Sequence, residues 1–239
     1  MAKLSGKIAV VTGGTGGLGR AVVEGLLREK STVIVTHTAN KQSLEYITEA
    51  QKKNSGLTGE KVDVTSDTDV TAFYKRLMTS VDRIDILCNL VGGVSAKKFV
   101  EDIEFEEWNK MIALNLTSCF LMMKGAVPLM KRNMWGRIIN IAAMPAIYPE
   151  AKRGGYGVSK SGVATLTKTV SEEVKEFNNI TVNAIAPGII LTEENKSWGS
   201  EEDFKKWVTP EQITEMIVHL CSENGAAVNG QIIQMYGKV

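Results

Sequence analysis

The chain of 239 residues is short of the groups that most non-redox chemistries need. It has only two histidines and three widely spaced cysteines, so a metal site of the usual His/Cys type lacks ligands, and none is expected. An odd cysteine count, with Cys88, Cys119 and Cys221 each inside an apolar pattern, excludes a disulfide framework and reads as buried thiols in a reducing compartment. No Gly-x-Ser-x-Gly elbow is present for a hydrolase. Formal net charge is only +1, which gives no broad attraction to nucleic acid or to a membrane surface. No run reads as a signal peptide or a bilayer span, so cytoplasmic residence is expected.

What is present is a rhythm. Apolar runs at Ile8 to Val11, Val33 to Val35, Lys61 to Val64, Ile84 to Cys88, Arg137 to Ala142, Ile180 to Ala184 and Gln231 to Met235 alternate with helical stretches. That alternation predicts an α/β domain, a doubly wound parallel sheet of about seven strands with helices on both faces. Hydrophobic residues make up 44% of the chain, enough for one full core, and residues 1–239 read as a single domain. A helix is expected over about Gln42 to Lys53, and two long ones over Phe105 to Lys131 and Gly155 to Phe177. The segment from Leu191 to Val208, rich in Glu, Lys and Trp, breaks the apolar rhythm.

Two motifs carry chemistry. The first strand runs directly into Thr12-Gly13-Gly14-Thr15-Gly16-Gly17-Leu18-Gly19, and a helix pattern begins at once. Glycine at such a strand-to-helix turn lets the backbone approach a pyrophosphate, whose charge the free N–H groups of the helix N-terminus can hold. The second motif is Tyr156-Gly-Val-Ser-Lys160. On a helix, residues four apart share a face, so an ammonium at Lys160 favours the Tyr156 phenolate and brings the pair toward proton transfer near neutral pH.

With these two motifs in this order, the chain resembles the short-chain dehydrogenase/reductase family over essentially its whole length. Further landmarks follow in sequence: Asp63-Val64, then Asn89, then Asn115 in Leu-Asn-Leu, then Gly136-Arg-Ile-Ile-Asn-Ile141, then Pro187-Gly188 and Thr192. The resemblance implies a Rossmann-type fold and an NAD(P)(H)-dependent oxidoreductase moving hydride to a C=O or conjugated C=N group. Tyr156 would be the proton donor, Lys160 would lower its pKa and hold the nicotinamide ribose, and Asn115 would support proton refilling. The dinucleotide would meet Thr12, Gly13, Thr15, Gly17, Leu18 and Gly19 at the first turn, and Thr36, His37 and Thr38 after the second strand. It would then pass Asp63 and Val64 near the adenine, Asn89, Val91 and Gly92 along the ribose, and Pro187, Gly188, Ile190 and Thr192 beside the nicotinamide. Residues 191–208 would form the substrate lid. The long helices at Phe105 to Lys131 and Gly155 to Phe177 would pair between subunits, as homodimer or homotetramer.

The departures matter as much. Thirteen residues before Tyr156, where the family has a serine that donates to the substrate oxygen, stands Ala143. Three readings follow: the substrate does not need that donor, another hydroxyl such as Tyr148 replaces it, or the protein binds a dinucleotide with little turnover. The first is favoured, because quinonoid dihydropteridine reductases also have alanine there, and the segments Asn195-Lys196-Ser197, Glu202-Asp203-Phe204, Trp207 and Thr209-Pro210-Glu211 are similar to theirs. A ketone or 3-oxoacyl reductase is the alternative. After Asn89 the chain reads Leu90-Val91-Gly92, which leaves the usual side-chain bracing of that turn absent. No acidic residue follows the second strand, so NADPH is favoured over NADH, with both open. Trp198, with Phe204 and Trp207, either stacks on a flat substrate ring or staples the lid to the body.

Overall fold

A computed structural model describes residues 2–238. Strand β1 (Ile8–Thr12) feeds helix α1 (Gly17–Arg28), β2 (Thr32–His37) feeds α2 (Lys41–Lys53), and β3 (Leu57–Lys61) feeds α3 (Asp67–Ser80). After β4 (Ile86–Asn89) comes a long helical passage made of α4 (Phe105–Met111), a wide π-turn (Ile112–Thr117) and α5 (Ser118–Asn133). The chain closes with β5 (Gly136–Ile141), α6 (Gly154–Glu173), β6 (Ile180–Pro187), the short α7 (Glu201–Phe204), α8 (Pro210–Cys221) and β7 (Ile232–Met235). The seven strands form one parallel sheet in the order β3-β2-β1-β4-β5-β6-β7. This is the Rossmann-type doubly wound architecture that the alternation predicts, and its order reverses between β1 and β4, where such sheets bind ligands.

Alternate strand residues serve opposite faces. Val10, Ile34, Leu87, Ile138 and Val182 pack beneath α3, α5 and α6, whereas Ala9, Val11, Val33, Val35, Ile86 and Ile139 pack against α1 and α8. Met122, Met123 and Met130 of α5 are fully buried in the first of these layers. Each such side chain contributes about 1.5–3 kcal/mol by leaving water. The span Phe105–Asn133 is long and apolar enough to cross a bilayer by length and composition, contrary to the sequence reading. Here it is the inner helix of the α/β domain, and its apolar side is the sheet's cover.

The third strand is displaced from its expected place. It occupies Leu57–Lys61 rather than Lys61 to Val64, because β3 is an edge strand paired only with β2 and tolerates the polar Thr58, Glu60 and Lys61. The apolar residues that suggested a strand, Val62 and Val64, follow it and enter the core under α3. The expected helix Phe105 to Lys131 is likewise not one α-helix, since the π-turn interrupts it. In residues 191–208, the Phe204 and Trp207 rings lie tilted against each other at 5.0 Å, and Trp207 is buried, so it is Trp207 that ties this segment to the body.

Candidate active site

The cleft opens at the carboxyl ends of the strands, at the reversal of strand order. It is a cavity of about 500 Å³ that brings together Leu18, Gly92, Ala143, Tyr156, Lys160, Pro187, Gly188, Ile190, Thr192 and Trp198. Residues as far apart in the chain as Leu18 and Trp198 thus meet at one place, as the motif reading requires.

Helix α1 starts unlike its neighbours. Asn40, Ser66 and Thr209 each accept a hydrogen bond from an N–H of the first turn of α2, α3 and α8. Gly16 before α1 offers no side chain, and the first turn has no acidic residue. Its N–H groups are left for an anionic ligand. Gly13 holds φ +67, a left-handed turn that glycine adopts without strain. At the far end of the cleft, a Cβ on Gly92 would lie 2.8 Å from Asn115 Oδ1 and 3.1 Å from Lys160 Nζ, so only glycine leaves that floor open. Both features fit a dinucleotide. The carboxylate of Glu194 also lies beside Gly17 at the start of α1, where a Cβ would stand 2.9 Å from its Oε2.

The catalytic candidates are set by the π-turn and by α6. A π-turn inserts one extra residue into a helix and is frequent at functional sites. Here it carries Asn115 inward, buried, where Nδ2 donates to Gly93 O at 3.0 Å and to Ser159 Oγ at 3.0 Å, while Oδ1 accepts from Gly93 N at 2.9 Å. Ser159 in turn donates to Tyr156 O at 2.8 Å. Asn115 therefore ties the Gly92-Gly93 floor to the first turn of α6. Lys160 Nζ donates to Ile141 O at 2.7 Å, and burial lowers its pKa to about 8.

Tyr156 departs from the expectation. Burial pushes its phenol up to about 12, the Arg153 guanidinium pulls it back and Glu150 pushes it further. The neighbouring ammonium does not bring it toward neutrality, because burial of the phenol is the dominant effect. At neutral pH the phenol is a standing O–H donor.

Lys160 gives a pH signature. Its folded-state pKa of about 8 lies below the 10.5 of a free lysine, so between these values the unfolded chain holds the extra proton and stability rises with pH. Between about pH 7.5 and about pH 9.5 the wild type is expected to gain roughly 2 kcal/mol relative to Lys160→Met. Urea denaturation of both proteins at each pH measures it, and a constant gap would refute the buried-ammonium assignment.

Several predicted contacts are placed differently. Thr12 Oγ1 accepts from Leu90 N at 3.1 Å and Val91 N at 3.3 Å, which supplies through the backbone the bracing that the Leu90-Val91-Gly92 turn lacks in side chains. Asn89 points inward, donating to Asn140 Oδ1 at 2.8 Å, rather than along a ribose. Val64 is in the core, and Asp63 accepts from Thr65 N and Thr65 Oγ1. Thr15 Oγ1, after β1, pairs with Ser43 Oγ at 2.9 Å, while around the end of β2 Thr38 Oγ1 accepts from Asn40, His37 Nδ1 accepts from Ala39 N, and Thr36 is buried. Ala143 lies buried at the cleft wall. Tyr148, the hydroxyl offered as one alternative to the missing serine, is not part of the cleft lining; it is exposed and sits edge-on to Tyr236 at 6.1 Å. The charged trio Lys97, Glu150 and Arg153 lines the cleft too. Sequence reading missed it because charged loop residues carry no periodicity, although Arg153 precedes Tyr156 by three positions.

Fold and site together define an NAD(P)-dependent oxidoreductase. A family model described as short chain dehydrogenase matches residues 7–203, and the chain belongs to that family. It is 31% identical over 244 residues to the 3-oxoacyl-[acyl-carrier-protein] reductase FabG of Aquifex aeolicus, covering 98% of each chain. It is 29% identical to D-beta-hydroxybutyrate dehydrogenase of Rhizobium meliloti, covering 97% of each. Among solved structures, a Bacillus thuringiensis protein provisionally described as a 3-oxoacyl-reductase superposes with TM-score 0.87 at 32% identity, covering 98% of each chain.

Proposed function

We propose that the chain is a cytoplasmic NADPH-preferring carbonyl reductase that interconverts a small ketone and its secondary alcohol. The observation that carries the reading is the convergence of Tyr156, Lys160 and Asn115 on a floor that only Gly92 keeps open. Relatives named for 3-oxoacyl reduction and β-hydroxybutyrate oxidation support a ketone over a quinonoid dihydropterin, for which Ala143 and the tail segments remain the only arguments.

The dinucleotide, when bound, supplies the hydride. Tyr156 O–H holds the carbonyl oxygen and gives it a proton as charge develops there. Lys160, protonated below about pH 8, stabilises the phenolate left behind and holds the ribose edge. Asn115 keeps the Gly93 loop and α6 in register, so the donor stays within reach of the cleft. With Ala143 in place, Tyr156 is the sole hydroxyl assigned to the carbonyl oxygen. The preference for NADPH rests on the hydroxyl and amide donors Thr38, Asn40 and Ser43 after β2 and Thr15 after β1, with no carboxylate among residues 36–43 to repel a 2′-phosphate.

The test is oxidation of NADPH and of NADH against a panel of ketones and a quinonoid dihydropterin. Ketone turnover supports the reading, pterin-only turnover replaces it with a dihydropteridine-type reductase, and tight dinucleotide binding without turnover replaces it with a binding protein.

The same reading includes a homodimer or homotetramer paired through α5 and α6, where Phe120 and Val158 are left 45% and 49% exposed. Phe120→Glu is expected to shift the chain to monomer in light scattering after size exclusion. A wild-type protein that is already monomeric would refute the pairing.

A further inference from the structure

We infer that Arg153, with Lys97 beside it, is an anion subsite, and that the substrate is a small oxo acid or hydroxy acid bearing a free carboxylate. The inference rests on the carbonyl-reductase reading and names the class of substrate that its cleft takes. Arg153 is the residue before α6, and Gly157 N in the first turn donates to its carbonyl, so it is fixed relative to Tyr156. Its side chain is only 21% exposed, yet it lines the same cleft as Tyr156.

A guanidinium offers five N–H donors. Arg153 uses Nη1 on Ser95 O at 2.6 Å, and Nε stands 3.7 Å from Glu150 Oε2, too far for a good hydrogen bond. Nη2 has no partner among the described residues. Glu150 is already held by Lys97, which keeps its carboxyl below the usual range. The mouth of the cleft thus sets two cations, the held Arg153 and the half-exposed Lys97, against one carboxylate that they share. A neutral ketone leaves this surplus charge unmatched in a partly desolvated place. A carboxylate on the substrate matches it with charge-assisted, two-pronged hydrogen bonds and fixes the distance from the anion to the carbonyl. The apolar Val94, Met144 and Ile189 line the space between. Because the cavity of about 500 Å³ must also take the nicotinamide end, the acid is short.

The test pairs acetoacetate with ethyl acetoacetate, the same ketone with and without the charge, using NADPH and the wild type, Arg153→Met and Arg153→Lys. The wild type is expected to favour acetoacetate in kcat/KM by about 10- to 100-fold. Arg153→Met should bring the ratio of kcat/KM for acetoacetate over the ester to about one, with the excess loss for acetoacetate in KM, and Arg153→Lys should restore part of that ratio. Equal use of both ketones by the wild type, a preference that survives Arg153→Met, or preference for a carrier-bound thioester would overturn the inference while leaving the reductase reading standing. If neither ketone turns over, calorimetric titration of the NADPH-loaded protein with propanoate decides. Binding that Arg153→Met removes keeps the subsite and retires the reductase reading, and absent or Arg153-independent binding overturns the subsite.

Discussion

Tyr156→Phe should lower carbonyl turnover by ~10²–10⁴, the span that a positioned proton donor supplies, and leave dinucleotide affinity within a few-fold. The phenol sits in a buried place that raises it to about 12, so it is a neutral O–H at any working pH and gives a proton without first having to acquire one. Phenylalanine keeps the ring, so the cleft wall persists and the loss should appear in kcat. Stopped-flow hydride transfer with saturating NADPH separates the chemical step from binding. Equal rates in the variant and the wild type would remove Tyr156 from the mechanism and shift attention to the binding-protein reading.

Ala143→Ser is expected to act in the opposite direction, raising turnover of simple ketones by up to ~10², since one donor aimed at a developing oxyanion is worth about that much or more. The backbone at Ala143 is extended, with φ −165 and ψ 165, which serine adopts without strain, and the added oxygen faces a cleft rather than a packed core. Steady-state kinetics on an unactivated ketone, with and without the substitution, measure the gain. No change would mean that the native substrate is oriented and polarised by other groups, with Arg153 the foremost of them. A loss would mean that the space beside Ala143 belongs to the substrate itself.

The fold was largely legible because buried parallel strands leave continuous apolar runs. Ile8 to Val11 and Ile180 to Ala184 land inside β1 and β6. The edge strand was misplaced because an edge is polar, and Val62 and Val64 owe their apolar character to α3 rather than to the sheet. At the site, Tyr156, Lys160, Gly92 and Ala143 were readable because their spacing is tied to a strand-turn-helix frame. The directions of Thr12, Asn89 and Tyr148 were not, since a side chain's orientation depends on partners from distant segments, such as Asn140 for Asn89 and Tyr236 for Tyr148. The phenol's acidity failed as an expectation for a related reason. Spacing along α6 reports that an ammonium is near, but not how deeply the phenol itself is buried.

The extra residue of the Ile112–Thr117 turn ties the cleft to the interior in a way that single substitutions do not reveal. Each helical residue advances the side chains by about 100°, so a one-residue deletion there would rotate everything downstream and turn Met122, Met123 and Met130 away from the sheet. The irregularity that presents Asn115 is also the phase marker for the helix that follows it. A lineage could exchange Asn115 for another residue one mutation at a time, but it could not straighten that helix without re-indexing half of its own core.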